Sequence, residues 1–346
     1  MCVILGFSRS AQRPRLFLYD TPKSPPRERV AKNINPYLVD ADDILVLPRT
    51  SALSPDLPKI TAGSTPIDWD FLTVQAVDIE GVRNDAIAAK YLRRYVGGKE
   101  LIHNLERWCL WMDTPDFVLS DVANSITLRE RVAKVREKRA ESGRAATRAL
   151  AATPHLFGER RQPTEPYLGI PQTFTENRAY ATAARLDAAI IASVKLFTAP
   201  DPDGFLLALV SSSMFITWQK TVGGRLKSDP SFSSSVVWHT LPLPPLSAAA
   251  RSSICSAGQS VLAARTRYPE RTLAELYDPQ ATPGDLTAAH EALDALVDAA
   301  FGSPGRCPDE ESRQEILFRR YEELVAAESI PGTTPRKTPS RRGRRR

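Results

Sequence analysis

Hydrophobic spacing divides the chain into two kinds of segment. At residues 128–150, Leu128, Val132 and Val135 recur at i, i+4 and i+7 with basic residues on the other faces, which predicts one long amphipathic helix. More helices are predicted after residue 245. Residues 248–267 are Ala-rich with Ile254, Val261 and Leu262 to one side. Thr282-Pro283-Gly284-Asp285 reads as an N-cap, a proline in the first helical position and an acid in the first turn. The helix it starts carries Leu286, Leu293 and Val297 on one stripe and stops at Gly302. Residues 309–328 then bring Leu317, Tyr321 and Leu324 together.

Shorter apolar runs predict strands. Ile44-Leu45-Val46-Leu47, Ile190-Ile191-Ala192-Ser193-Val194 and Phe205-Leu206-Leu207-Ala208-Leu209-Val210 are each bounded by Asp, Pro or Gly, as buried strands are. A strong turn signal, Pro200-Asp201-Pro202-Asp203-Gly204, precedes the third. Cys2-Val3-Ile4-Leu5-Gly6-Phe7 reads as a strand with no earlier element to pair with, as though a larger sheet had been cut. Residues 13–32, with Pro14, Pro22, Pro25 and Pro26, read as a linker. The expected fold class is therefore α+β: a mixed α/β domain over 33–245, then a small all-α domain over 246–332. Residues 1–32 precede these as strand remnant and linker, and 333–346 follow as a disordered Arg-rich tail.

Charge changes this picture. Of 346 residues, 42% are apolar and 25% charged, enough apolar content for a packed core, and the formal charge is +6. Residues 333–346 alone hold seven basic residues and no acid; without them 39 basic face 40 acidic residues, a net charge of −1. Residues 1–245 carry +5 and 246–332 carry −6, so a basic mixed domain adjoins an acidic helical one. A polyanion site must be a local patch. Four scattered cysteines without a C-x-x-C pair exclude a disulfide framework and fit a reducing cytoplasm. Four scattered histidines offer no metal-ligand spacing, and no apolar run reaches the eighteen residues of a membrane span.

Enzymatic signatures are missing. Gly97-Gly98-Lys99 and Gly223-Gly224-Arg225 fit no phosphate-cradling loop, and there is no G-x-S-x-G elbow. Pro115-Asp116 has no Asp/Glu-x-Lys at a distance suited to a nuclease. Asn35-Pro36-Tyr37 resembles the Asn/Asp-Pro-Pro-Tyr loop of amino-group DNA methyltransferases. It lacks the second proline and follows no glycine-rich strand, so it reads as a turn entering the mixed domain. No catalytic and no metal-ligating residue is assigned.

Nucleic-acid chemistry is present. The helical stretch 126–148 carries +5, and Arg129, Lys134, Arg136, Arg144 and Arg148 are its candidates for phosphate contact; a solvated face laced with pairs such as Glu130 with Lys134 is the alternative. A second cluster holds Lys220, Gly223, Gly224, Arg225, Lys227 and Ser228, where the glycines would let the backbone approach a polyanion. Arg107-Trp108-Cys109-Leu110-Trp111 is a dense aromatic strand, with core packing expected for at least one Trp. Glu176-Asn177-Arg178, following Ile170-Pro171, offers residue types that read base edges.

Several ordered segments together resemble one family. They are Asn33-Ile34-Asn35-Pro36-Tyr37-Leu38-Val39-Asp40, Gly98-Lys99-Glu100-Leu101-Ile102 with Arg107 to Trp111, and Ala145-Ala146-Thr147-Arg148. Gly223-Gly224-Arg225-Leu226-Lys227-Ser228-Asp229, Leu241-Pro242-Leu243-Pro244, Leu276-Tyr277-Asp278-Pro279 and Ala289-His290-Glu291-Ala292-Leu293-Asp294 complete the series. In this order, from about Cys2 to Gly302, the chain resembles the C-terminal part of MmeI-like single-chain restriction–modification enzymes.

The resemblance implies a target recognition domain over 33–245 and a helical cap after it. It places the nuclease, the S-adenosylmethionine strand and the catalytic loop in parts absent from this sequence. It implies phosphate contact or a folding role for Arg225, Lys227 and Ser228, which lie in a shared motif. Base-choosing residues differ between members, so the resemblance names none; the loop residues Gln172, Thr173, Asn177 and Arg178 are expected in that role from their own chemistry. The expected function is a double-stranded DNA recognition module that positions a separate methyltransferase or nuclease chain, which would hold the S-adenosylmethionine. Adenine-specific DNA methyltransferase activity by family membership, or a non-functional fragment, are the alternatives. The basic tail should add salt-dependent, sequence-blind affinity.

Overall fold

The computed structural model describes residues 4–9, 13–19 and 23–328. The tail 333–346, and Cys2 and Val3 of the expected first strand, lie outside the described residues. Ile4 to Phe7 joins no strand; its apolar side chains face outward, because no described segment lies alongside to take up its backbone groups. The expected linker over 13–32 is instead a hairpin, β1 (Arg15–Leu18) antiparallel to β2 (Arg27–Val30), with Arg15 opposite Val30. Pro14, Pro25 and Pro26 sit just outside the paired residues, where a missing N–H costs no ladder bond. Arg15 pairs with Glu28 across the hairpin (2.9 Å), and Arg29 fastens it to Asp40 (3.1 Å) and to Glu311 near the other end of the chain.

Asn35-Pro36-Tyr37 forms a turn: Asn35 Oδ1 accepts from Tyr37 N (2.9 Å) and Val39 N (3.3 Å). Ile44 to Leu47 alternates buried and exposed as a strand does, yet pairs with none. Val46 N donates to the Tyr37 hydroxyl (2.8 Å) and Leu47 N to the Tyr321 hydroxyl (3.3 Å), so side chains replace the ladder.

After β3 (Thr61–Ala62) the chain builds a first core from β4 (Thr73–Val74), α1 (Ile79–Asn84), α2 (Ala86–Ala89), β5 (Leu92–Val96), α3 (Gly98–His103), β6 (Trp108–Leu110), α4 (Leu119–Asn124) and α5 (Ile126–Ala140). β6 lies between β4 and β5, antiparallel to both. The expected helix over 128–150 breaks at Ser142-Gly143 and resumes as α6 (Ala145–Ala149). Leu128, Val132 and Val135 face the core as predicted, and Ser125 caps α5 by accepting from Leu128 N (3.0 Å). Asp85 accepts from the Ser125 hydroxyl (2.6 Å), Ile87 N and Ala88 N, and these hydrogen bonds outweigh burial and hold its carboxyl near pKa 2.

Arg139, on the same buried stripe, is fully inside. Its guanidinium donates to the carbonyls of Ile67 (2.9 Å), Pro66 (2.8 Å), Leu150 (3.1 Å), Thr153 (3.0 Å) and Leu156 (2.8 Å). Two of those carbonyls belong to a strained loop: Ile67, Trp69 and Asp70 have φ of 50°, 51° and 66°. Non-glycine residues in this region cost on the order of 1–3 kcal/mol each, so the surroundings must enforce it.

A second core draws on β7 (Tyr167–Pro171) and β10 (Leu196–Pro200), while β8 (Ala184–Leu186) and β9 (Ile191–Ala192) contribute Leu186 and Ala192 to a small cluster with Val96, Tyr167 and Leu196. The sheet order is β3-β10-β7-β8, all antiparallel, while β9 adds in parallel to β5 and joins the two halves. Phe205 to Val210, expected as a strand, is helix α7 (Phe205–Val210), buried on every side. A continuous apolar run fits either element. The turn before it decides, because Asp201 accepts from Leu206 N (2.9 Å) and Leu207 N (3.1 Å), and Asp203 from Phe205 N (3.1 Å), holding the first turn of a helix.

α8 (Ser213–Val222), the hairpin β11 (Gly224–Leu226) and β12 (Asp229–Ser231), and the helices α9 (Ala248–Thr266), α10 (Leu273–Leu276), α11 (Gly284–Ala300) and α12 (Glu310–Glu328) follow. Pro283, not Thr282, occupies the N-cap position of α11; Gly302 ends it at φ 100°. Ile254, Leu286, Leu293, Val297 and Leu317 share one hydrophobic core with Leu168, Phe205 and Trp218, so no core boundary falls at residue 245. The fold is α+β, mixed first and helical last. Among the described residues no helix is long and apolar enough to cross a membrane, and no cluster of His, Cys, Asp or Glu is placed to hold a metal ion.

Candidate nucleic-acid interface

Two candidate segments far apart in sequence meet edge to edge. β7 delivers the chain into loop 172–178, which is zipped onto β12. Phe232 N donates to Gln172 O (2.8 Å), Phe174 N to Pro230 O (2.9 Å), and Glu176 N to the Asp229 carboxylate (3.0 Å). Thr173 bridges Ser231. Phe174 and Phe232 bury their rings beneath, with Phe232 edge-on to Phe197 (5.0 Å). The outer surface of this joint carries exposed Asn177, Arg225 and Lys227, with the half-buried Lys220 and Ser228 beside them.

The hairpin is tight. Leu226 pairs with Asp229, leaving Lys227 and Ser228 as a two-residue turn, and Lys227 takes φ 58°. Arg225 donates to Ser228 O (2.9 Å) across the turn. The glycines divide their work. A side chain on Gly223 would collide with Gln219, so this glycine serves the internal packing of α8. Gly224 has open space on its Cβ side, which leaves the backbone approachable from outside.

The remaining loop candidates are placed differently. Gln172 donates its side-chain amide to Val194 O (2.8 Å), which ties the loop to the turn before β10. Arg178 is 8% exposed, with its guanidinium 3.5 Å from the Thr182 hydroxyl, and burial holds its pKa below the ordinary arginine value. Both hold the loop's shape in this conformation, whereas Asn177 points into solvent.

The helical candidates stand on the other core. Around α5, Arg129 and Arg136 flank the buried stripe on one side, and Arg131, Lys134 and Lys138 on the other; Glu130 and Glu137 lie between them on the outermost face. Arg131 is spent on Phe71 O (3.1 Å) and Thr73 O (3.2 Å), and Lys138 on Glu141 (3.0 Å). Lys134 lies over the Phe71 ring (5.4 Å), and Arg148 donates to Ser142 O (2.8 Å) while staying exposed. Arg136 and Arg144 are exposed. The +5 of this stretch is thus two flanks rather than one stripe.

Trp111 and Trp108 both join the first core; Trp108 sits between the Arg83 and Arg94 guanidiniums (5.3 and 5.5 Å). Sequence reasoning passed over Arg160 and Arg161, which with Trp111, Asp113, Gln162 and Thr164 line a cavity of about 390 Å³; the adjacent arginines were the available signal.

Residues 40–245 match the MmeI target recognition domain, and residues 246–328 match the MmeI C-terminal domain. The chain belongs to the MmeI family. The second match extends past Gly302 into α12. Among curated proteins, the chain is 32% identical over 325 residues to DNA methyltransferase A of Bacillus subtilis (strain 168), covering 93% of this chain and 36% of that protein. The solved structure of the type IIL restriction–modification enzyme MmeI in complex with DNA superposes with a TM-score of 0.82 at 34% identity, covering 92% of this chain and 42% of MmeI. The chain therefore spans about two fifths of the length of these MmeI-type relatives.

Proposed function

We propose that the chain is the duplex-DNA recognition part of an MmeI-like restriction–modification methyltransferase, acting in the cytoplasm. The observation that supports this reading is the joint of loop 172–178 with β12 of the β11–β12 hairpin, an assembly whose exposed residues include Asn177 from the loop and Arg225 and Lys227 from the hairpin. Arg225 and Lys227 serve phosphates, with Lys220 and Ser228 supporting them, and Asn177 faces base edges. Gln172 and Arg178 keep the loop in shape. Arg129, Lys134, Arg136, Arg144 and Arg148 extend the backbone contact from the other core.

Methyl transfer and cleavage belong to the rest of the relatives' length, supplied here by a separate methyltransferase or nuclease chain that holds the S-adenosylmethionine. In two cavities of this chain the carboxylates that could meet the cofactor's cationic groups are already engaged: Asp113 with Arg160 (3.5 Å) in one, and Asp68 with Leu72 N (2.7 Å) and Thr73 N (2.9 Å) in the other, about 280 Å³ along residues 65–70.

The test is selection of duplexes from a random pool by the purified full chain, followed by affinity against salt. Loss of two phosphate contacts in the Arg225→Ala, Lys227→Ala double variant should weaken all sequences alike and reduce the salt slope by about 2. Asn177→Ala should instead change the selected site. Failure to bind any duplex at low salt overturns the reading.

A further inference from the structure

We propose that Trp69 is a DNA-contacting residue whose indole stacks on the nucleic acid beside the phosphates held by the α5 flank. This rests on the recognition reading above and adds a contact that neither charge pattern nor motif marks.

Of the five tryptophans, Trp218 and Trp238 are fully buried, Trp111 is 6% exposed and Trp108 is half-buried within the first core. Trp69 is 49% exposed. A large aromatic left in water at the tip of a loop gains little folding energy from its ring. The backbone that presents it is nevertheless one of the most constrained in the molecule. Ile67, Trp69 and Asp70 all lie at positive φ, a conformation that glycine would adopt without cost.

Independent anchors enforce that shape. Arg139 grips the carbonyls of Pro66 and Ile67 from inside. The Asp68 carboxylate, 4% exposed, accepts from Leu72 N and Thr73 N, and Asp70 accepts from the Thr73 hydroxyl (3.0 Å). Gly158 leaves the space that the Ile67 side chain fills, since a Cβ there would come within 2.6 Å of Ile67 Cδ1. Strain held from four sides to keep one apolar ring outward is the pattern of a preorganised contact.

The chemistry nearby selects the partner. Lys134 extends over Phe71, two residues along, and is the exposed cation of this flank of α5; Asp70 is exposed as well, with its carboxylate accepting from the Thr73 hydroxyl. An exposed aromatic face two residues from a ring that carries the Lys134 ammonium suits the base and phosphate surface of nucleic acid.

The full chain and a fluorescently labelled mixed-sequence 30-bp duplex provide the test. Acrylamide quenching reads Trp69 as the difference between the unmodified protein and Trp69→Phe, since three of the other indoles are buried and Trp108 is half-buried; saturating duplex should shield that fraction. Trp69→Gly and Trp69→Ala should weaken duplex binding roughly ten-fold or more, and Trp69→Phe by no more than about three-fold. Trp69→Gly should not lower the melting temperature, since it relieves the backbone. Unchanged quenching with duplex bound, or affinity within two-fold for the glycine and alanine variants, overturns the assignment of Trp69 alone. Absence of duplex binding by the unmodified chain overturns the recognition reading and this contact together.

Discussion

Arg139→Met isolates the device that shapes the first core. The methionine keeps the apolar stem on the buried stripe with Leu128, Val132 and Val135 and removes only the guanidinium. Five carbonyls then lose their donor: those of Pro66, Ile67, Leu150, Thr153 and Leu156. A hydrogen bond to a charged group contributes about 1.5–3 kcal/mol net, but the variant also recovers the desolvation of the guanidinium, and relaxed carbonyls regain some water. The expected loss is therefore about 3–5 kcal/mol, below the sum of five bonds. Arg139→Lys should fall between, because an ammonium has three donors and reaches at most three of the five carbonyls. Urea unfolding followed by far-UV circular dichroism measures both, and amide hydrogen exchange at Phe71, Leu72, Thr73 and Gly158, whose N–H groups bond within or onto this loop, should rise in the same order. A loss under about 1 kcal/mol for Arg139→Met, or a lysine variant no better than methionine, would refute the account.

Two further outcomes follow from the helical part. His290 is buried, accepts a hydrogen bond from the Tyr277 hydroxyl on Nε2 (2.7 Å), donates from Nδ1 to Ser211 O (2.9 Å), and is held neutral by burial, its pKa lowered to about 3. Its folded pKa lies below the unfolded value of about 6.5, so the unfolded chain binds the extra proton between these values. Stability should fall as pH drops from about 6.5 towards 3, by up to about 1.4 kcal/mol per unit from this group, and His290→Gln should flatten that slope; buried Asp294, whose pKa is raised, acts in the opposite sense in the lower part of the window and remains in the variant. An unaltered slope in pH-dependent urea titrations would count against this. Gly258→Ala in α9 should destabilise by about 1–3 kcal/mol despite alanine's better helix propensity, because its Cβ would lie 2.6 Å from Ala208 Cβ in α7; Ala208→Gly in the same chain should restore part of the loss, and a thermal melt showing no restoration would contradict the contact.

The helices after residue 245 were legible because periodicity and end signals agree there, as in Leu286, Leu293 and Val297 with Gly302 beyond them. The break in α5–α6 had its mark too, in Ser142-Gly143. Phe205 to Val210 was misread because burial on all sides erases period; the better signal was composition, since Leu-Leu-Ala-Leu favours helix and only Val210 is β-branched. The β1–β2 hairpin hid behind its flanking prolines. The basic turn at Gly223 to Ser228 could be read locally, as could the types of residue near 177. What could not be read was that β12 zips to loop 172–178, or that Arg178 folds inward, because both are decided by packing across more than fifty residues. The strain at Ile67 to Asp70 leaves no compositional trace, since the residues that adopt it are the ones least suited to it.

The shared core also changes what the helical part does. Tyr180, two residues beyond Arg178, stacks on His290 of α11 (3.9 Å) and donates to Asp294 (3.1 Å), which also accepts from Ser213 N (2.7 Å) at the start of α8. Arg265 of α9 donates to Ala183 O (2.9 Å) just before β8 and to the Tyr277 hydroxyl (2.7 Å) that meets His290. Arg313 of α12 completes the set through paired hydrogen bonds to Asp298 (3.0 and 2.7 Å). Every one of these bonds is buried or nearly so, where removing one partner costs far more than the pair contributes. Loop 172–178 is therefore joined to β12, and the chain directly beyond it, at Tyr180 and Ala183, is fastened to the helical bundle. The helical part and the mixed part share one hydrophobic core, so the acidic helices brace the segment that carries this loop.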